Sequence, residues 1–172
     1  MRRITTKCLF VLVVITMATG IAWAEVNFKR KPAPKAVDVG LQLTASGALS
    51  GLGNATVFIT ITATADPTAI CTNNGGNEAP GQNPAEVDVT GAIAIPPGEI
   101  KNGNLTFSVT TDLPEQPTPA EAGCPSSQWT AAITDMSFTS LTLTVVQNGI
   151  TVLTTELITF APTEDGDIIP LN

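Results

Sequence analysis

The sequence contains no histidine and no tyrosine. Their absence excludes Ser-His-Asp and Cys-His catalytic arrangements, and it removes a tyrosine acid or electrophile. Paired carboxylates remain as a catalytic option, as in glycoside hydrolases. Glu86, Asp88, Asp135 and Glu156 lie in predicted strand segments, but alternation turns Glu86 and Asp88 toward solvent. We therefore expect a non-enzymatic protein, and a carboxylate-based hydrolase is the lowest-ranked alternative.

Basic residues are scarce: eight Lys and Arg stand against fifteen Asp and Glu. Removing Arg2, Arg3 and Lys7 with residues 1–24 leaves five basic residues and a net charge of −10. From residue 36 onward, Lys101 is the only basic residue against fourteen acidic ones, which gives −13. Because phosphate contacts require Lys and Arg, nucleic acid is not an expected partner. Such a charge suits solubility outside the cell, or weak binding of divalent cations.

The N-terminus has the pattern of an export signal. A basic segment, MRRITTK, precedes the apolar run CLFVLVVITMATGIA, and Ala22 and Ala24 occupy the small-residue positions of a cleavage site. The alternative is a membrane anchor, but the run is shorter than the roughly 20 residues that a spanning helix needs. We predict that residues 1–24 are a signal peptide cleaved before Glu25, with no stable membrane span afterwards. The destination is extracellular, the cell surface or the periplasm.

Only three cysteines are present, and Cys8 lies in the predicted signal peptide. In an oxidising compartment, Cys71 and Cys124 are predicted to form one disulfide. It would close a loop of about fifty residues and contribute roughly 3 to 4 kcal/mol in the loop-entropy model. The alternatives are two free thiols or half of a metal site, and the metal site lacks histidine partners.

Alternation of apolar and polar residues with period two dominates residues 36–160, and Thr, Val and Ile predominate in it. Turn signals separate the segments, and Asn148-Gly149 is a strong hairpin signal. The pattern predicts an all-β domain over residues 36–160. We expect an immunoglobulin-like sandwich of about seven strands with one disulfide, and a jelly roll is the alternative. The seven predicted strands lie in AVDVGLQLT, NATVFITITATA, EVDVTGAIAI, NLTFSVTT, QWTAAITD, SLTLTVV and ITVLTTELITF.

The two ends of the mature chain are predicted to lie outside this domain. Residues 25–35, EVNFKRKPAPK, are a basic, proline-containing leader with a preference for extended backbone. Residues 161–172 are an acidic tail, in which Glu164, Asp165 and Asp167 are weak calcium candidates. Their spacing does not match an EF-hand loop, and the alternative is a mobile tail. No other metal and no cofactor is expected.

The stretch CTNNGGNEAPGQNP, residues 71–84, carries four Asn, three Gly and two Pro. Such residues form turns, and a disulfide to the GCP segment would hold the loop at one end of the sandwich beside the strand that begins with Trp129. We interpret the loop as structural first and as a binding surface second, because sandwich loops commonly carry binding sites. The candidate binding residues are Asn73, Asn74, Asn77, Gln82, Asn83 and Trp129.

Several segments together resemble a known group of sequences. GLGN, C-x-N-x-G-G-N-x-A-P-G-Q-N-P, KNGNLTF and AGCP, followed by a Trp, resemble a group of small secreted bacterial proteins of unassigned function. The resemblance covers roughly residues 50–148. It implies a secreted domain with a disulfide, and it implies no catalytic residues.

The sequence thus favours a secreted structural or interaction domain at the cell surface or in the extracellular matrix. In the first hypothesis, strand edges pair with other copies, with the leader around 26–28 as the added strand. Threonine-rich strand faces with few charged residues are compatible with such pairing, although threonine also has a high strand propensity. In the second hypothesis, the protein is a monomeric binding module that uses the loops around Cys71 and Cys124. The expected partner is a protein or a cell-envelope component, including copies of itself.

Overall fold

The computed structural model describes residues 25–82 and 84–171, which fold into two antiparallel sheets packed face to face. The described residues include no helix with the length and apolarity needed for a membrane span. The prediction of an all-β sandwich is confirmed. The strands are β1 Asn27–Phe28, β2 Lys35–Asp38, β3 Leu43–Ser50, β4 Val57–Thr72, β5 Glu78–Pro80, β6 Val87–Ile95, β7 Leu105–Thr110, β8 Thr130–Gln147, β9 Ile150–Thr154, β10 Ile158–Thr159 and β11 Ile168–Pro170, with a 3₁₀ turn at Pro97–Glu99.

Sheet A contains β1, β2, β3, β7 and β11, and sheet B contains the other six strands. In sheet A, β3 pairs with β7 along one edge and with β1 and β2 along the other, while β11 pairs with the far side of β2. In sheet B, β4 pairs with β8 along one edge and with β5 and β6 along the other. The far side of β8 carries β9 and β10. The main core lies between the two sheets.

The described residues form eleven strands where about seven were predicted, partly because β1, β5 and β11, of two or three residues each, were not predicted, and because the last predicted strand divides into β9 and β10. In the opposite direction, two predicted strands merge into β8. Its pairing with β4 skips Thr134 and Thr139, which are β-bulges. Each bulge reverses which side chains face the core, so Ile133, Phe138 and Leu141 are all buried in one strand. The hydroxyl groups of the two bulged threonines donate to carbonyl oxygens of β4 at 3.3 and 3.4 Å.

The first predicted strand is wrong, because it breaks into β2 and β3 at Gly40. The positive φ of this glycine, +87°, turns the chain back on itself. The backbone N–H of Gly40 donates to Oδ1 of Asp38 at 2.9 Å, which fixes the turn. As a result Asp38 is buried and Val39 is 54% exposed, the reverse of what apolar–polar alternation in a single strand would give. β3 then continues to Ser50, beyond the end of the predicted strand at Thr44.

Both segments predicted to lie outside the domain are part of it. In the leader, Val26 is buried, and the ring of Phe28 lies 6.4 Å from that of Phe107. β1, and Lys35 at the start of β2, pair with β3 of the same chain, so the leader is not a detached strand. The acidic tail forms β11 on sheet A and buries Thr163, Ile169 and Leu171.

A buried polar network joins the tail to both sheets. The hydroxyl of Thr163 donates to Oδ2 of Asp38 in β2, and it accepts the backbone N–H of Phe138 in β8 at 2.9 Å. Burial raises the pKa of the Asp38 carboxyl above its ordinary value, and the nearby carboxylates of Asp165 and Asp135 add to the rise. Hydrogen bonds from Thr163 and from the Gly40 N–H act in the opposite direction. Every buried side-chain N or O atom in the described residues has a hydrogen-bond partner.

The raised pKa of Asp38 makes the stability of the fold depend on pH. Because the folded state binds this proton more tightly, the group's contribution is complete below the ordinary pKa of 3.8 and is lost as pH rises through the folded pKa. Asp38→Asn removes the titration. We expect the unfolding free energy of the variant minus that of the wild type to increase from about pH 3 upward and then level off. Urea unfolding of both proteins over this range measures the difference, and a difference independent of pH would contradict the assignment.

Candidate functional site

One end of the molecule extends beyond the main core and is held by a disulfide. This region, residues 69–82 and 113–132, is called the tip below. It contains the end of β4, all of β5, the start of β8 and a long irregular loop between β7 and β8. A second, small core lies inside the tip, separate from the main core. Its members are Ala69, Cys71 and Ala122, with Cys124, Trp129 and Ala131 packed against them.

The disulfide joins Cys71 of β4 to Cys124 of the irregular loop. The two Cα atoms are 5.6 Å apart, and the bond links positions separated by 53 residues. Cys71 is fully buried, and Ala122 beside it is also inaccessible to solvent. The disulfide prediction is therefore confirmed, as is the expectation that Trp129 lies near the bridge.

The loop that begins at Cys71 is largely a β-hairpin. The carbonyl oxygen of the Asn73 side chain accepts hydrogen bonds from the backbone N–H groups of Gly75 and Asn77, both at 2.9 Å. The side-chain amide of Asn77 donates to the same oxygen at 3.3 Å. β5 then returns along β4, with Ala79 opposite Cys71. Asn73 and Asn77 thus shape the turn, whereas Asn74 is exposed.

The loop before Cys124 is the second part of the tip's framework. Within this loop, Thr118 and Glu121 form a capping box. Oε2 of Glu121 accepts the backbone N–H of Thr118 at 2.7 Å and its hydroxyl at 2.8 Å. These bonds lower the pKa of the Glu121 carboxyl, the backbone bond most. The turn presents the carbonyl of Ala122, which accepts the N–H of Gln82 at 2.8 Å. The T-x-x-E spacing at 118–121 is the sequence signal that reveals this turn.

Gln116 anchors the proline-rich part of the same loop. Its side-chain oxygen accepts the backbone N–H of Ile133 at 2.8 Å, next to the bulge at Thr134. No sequence motif indicates this contact, because the two residues meet only after the loop has folded over β8. Leu113, at the start of the loop, remains 62% exposed.

The six candidate binding residues do not share one role. Asn74, Asn77 and Gln82 are exposed, while Asn73 and Trp129 are partly buried. Asn83 lies outside the described residues. The tip therefore brings the candidates to one end of the molecule, and it uses Asn73 and Trp129 as part of its framework.

The acidic residues do not converge on a metal site in the described part of the chain, where no group of three potential ligands is close enough to hold an ion. Oδ2 of Asp167 accepts the backbone N–H of Glu164 at 3.0 Å, in a turn completed by Gly166 at φ +90°. The calcium candidates of the tail thus shape a turn. On the strands, Asp88 accepts the hydroxyl of Thr64 at 2.7 Å and is exposed.

Two open hollows lie away from the tip. One, of about 420 Å³, lies between β1 and the β9–β10 segment and includes Phe28, Leu157 and Leu171. The other, of about 470 Å³, lies beside β7 and includes Lys29, Glu99 and Lys101. The first hollow also includes Glu156, one of the carboxylates considered for catalysis, and its lining has no second carboxylate to pair with it. The second hollow contains no candidate predicted from the sequence.

No protein-family model matches this chain, and no curated protein or solved structure matches it at a significant level.

Removing the disulfide is expected to destabilise the protein. Cys71→Ala combined with Cys124→Ala removes a constraint on the unfolded chain, so the unfolding free energy should fall by roughly 3 to 4 kcal/mol. Urea denaturation of the wild type and the double variant measures this loss. Reductant should destabilise the wild type and leave the variant unchanged. Equal stability of the two proteins without reductant would contradict a stabilising disulfide.

Proposed function

We propose that this protein is a secreted, non-enzymatic interaction domain, an immunoglobulin-like sandwich that binds a partner through its tip. Its place of action is the cell surface or the extracellular matrix. The observation that carries the proposal is the tip itself, where β4 and β8 extend past the main core to a second, disulfide-linked core. A segment that adds little to the main core, yet is covalently fixed, is suited to presenting a surface.

Rigidity supports this use of the tip. Asn73 and Glu121 accept hydrogen bonds from their own turns, and the disulfide joins the two turns near their bases. Ordering a flexible loop on binding costs free energy, so a loop ordered beforehand binds more tightly. Exposed amides at Asn74, Gln82 and Gln128 supply hydrogen-bonding groups at the surface of this framework.

A non-enzymatic role agrees with the chemistry that the chain carries. It contains no histidine for general-base catalysis. Its two cysteines outside residues 1–24 are joined to each other, so neither offers a thiolate nucleophile.

Binding to the envelope of the producing cells tests the tip directly. We expect Asn74→Arg with Gln128→Arg to weaken co-sedimentation of the labelled protein with purified envelopes roughly tenfold, because both side chains lie on the proposed surface. The matched control, Thr62→Arg with Thr151→Arg, adds the same charge at exposed positions of β4 and β9, away from the tip and from both hollows. It should bind like the wild type. Undiminished binding of the tip variant would overturn the proposal.

A second candidate function is self-assembly through the free edge of β6. The carbonyl of Thr90 points away from β4 and accepts the N–H of Asp112 at 2.7 Å. Because alternate residues of an antiparallel strand point the same way, the backbone groups of Ala92 and Ala94 also point outward. No other backbone hydrogen bond from the described residues reaches this edge. β6 carries no Lys or Pro and one Asp, so it lacks the usual protection against edge pairing.

Ala94→Pro tests this second candidate. The backbone N–H of Ala94 makes no ladder bond to β4. A proline at this position should therefore remove edge pairing while the fold is retained. We expect light scattering to show a monomer for the variant at concentrations where the wild type associates. Association that is the same in both proteins would eliminate this edge, and circular dichroism provides the check on folding.

A further inference from the structure

The folded chain gathers its basic residues at one place. Outside residues 1–24 there are five of them, Lys29, Arg30, Lys31, Lys35 and Lys101. Three precede β2, Lys35 is the first residue of β2, and Lys101 comes from the distant turn before β7. Lys29 and Lys101 nevertheless line the same hollow of about 470 Å³. We call these five residues the basic patch.

The basic patch lies at the end of the molecule where β4 begins. The backbone N–H of Lys29 donates to Ala48 near the end of β3, and the N–H of Leu52 donates to Gly103 beside the turn of Lys101. Three acidic residues lie at or beside this end: Glu25, whose carbonyl lies against Gly51, Glu99, which lines the hollow, and Glu156, which lines the other hollow together with Phe28. Five basic and three acidic residues give the end a charge of +2, so the other twelve carboxylates carry −12.

The tip lies at the opposite end of β4. β4 has 16 residues, and at about 3.3 Å a residue it spans roughly 50 Å. The tip has three acidic residues, Glu78, Glu115 and Glu121, and no basic residue. All three are exposed. The molecule is therefore a rod-like domain with positive charge near one end and negative charge at the other.

We propose that the tip of one copy binds the basic patch of a second copy, head to tail. This inference rests on the proposed function, since it names the partner of the tip as the protein itself. Opposite charges on the two surfaces would steer the encounter. Because the contact joins two different surfaces, it leaves one of each free and extends into a chain.

The composition of the patch favours a protein surface over a phosphate-rich polymer. Glu99 lies among the lysines of the hollow, where it would repel a closely spaced row of phosphates. A protein end with a few carboxylates and exposed amides avoids that repulsion, and the tip carries both kinds of group. One hydrogen-bond donor of the Lys101 ammonium group is already used within the protein, since its Nζ donates to the carbonyl of Gly98 at 2.6 Å.

Charge reversal at each end provides the test. The patch-reversed variant is Arg30→Glu, Lys31→Glu and Lys101→Glu, and the tip-reversed variant is Glu78→Lys with Glu115→Lys. None of these substitutions touches the capping box or the disulfide. Light scattering of residues 25–172 at low and high salt measures the weight-average mass. We expect the wild type to at least double its monomer mass at low salt and to dissociate in high salt, because salt screens exposed charges.

Each variant alone should remain a monomer, because its two ends then repel each other. An equimolar mixture of the two should associate again, since each variant's ends attract those of the other. The matched control for the tip-reversed variant is Asp66→Lys with Glu164→Lys, which makes the same charge change at exposed positions outside the tip, the basic patch and β6. It should associate like the wild type.

A wild type that stays monomeric at low salt, or a mixture that fails to associate, would overturn the head-to-tail contact. The envelope co-sedimentation experiment then shows whether the tip still binds another partner, so the two proposals fail separately. Wild type that is monomeric but binds vesicles of anionic phosphatidylglycerol, with loss of binding in the patch-reversed variant, would overturn the inference in favour of a lipid surface.

Discussion

The pairing of β4 with β8 is the interaction on which the rest of this structure depends. The ladder runs from Val57 opposite Gln147 to Thr72 opposite Thr130, and it passes through both hydrophobic cores. Each of the two bulges in β8 reverses which side chains face inward. After both bulges, the inward-facing residues again follow the alternation of a strand without bulges. Without the bulges, Phe138 would point to solvent. The threonine hydroxyls at the bulges supply hydrogen bonds where the ladder is interrupted.

This ladder also explains why the tip needs a covalent bond. Beyond Ile133, the second core of the described residues consists of small apolar groups, Ala69, Ala122, Ala131 and the two cysteines, and the partly buried Trp129 is its one large side chain. Small side chains bury little apolar area, so they contribute little of the stabilisation that orders a long loop. The loop is held instead by local hydrogen bonds, by Gln116 on β8 and by the disulfide. The tip is therefore rigid for reasons that are largely separate from the packing of the sandwich.

The alternation of apolar residues predicted those strands whose two faces stay distinct. Val89 in β6 and Phe107 in β7 are buried as expected, and the Asn148-Gly149 turn has φ values of 55° and 73°. Prediction failed where a local feature overrides alternation. Gly40 turns the chain within an apparently regular run, and the bulges divide β8 into two apparent strands. The small strands at both ends were missed because two or three residues show no periodicity, and they form only by pairing with β3 or β2.

The candidate site shows the same division between local and long-range information. The disulfide followed from cysteine number and the capping box was readable at Thr118, whereas the contact of Gln116 with Ile133 depends on tertiary folding. The basic patch depends most on tertiary folding. On a detached leader, four cations would sample many positions, and their field at any one surface would be averaged. Pairing of β1 and β2 with β3 fixes them, and the turn before β7 adds Lys101 beside Lys29. The sequence alone assigns these basic residues to a linker. In the folded chain they form a surface that is fixed at the end of the molecule opposite to the tip.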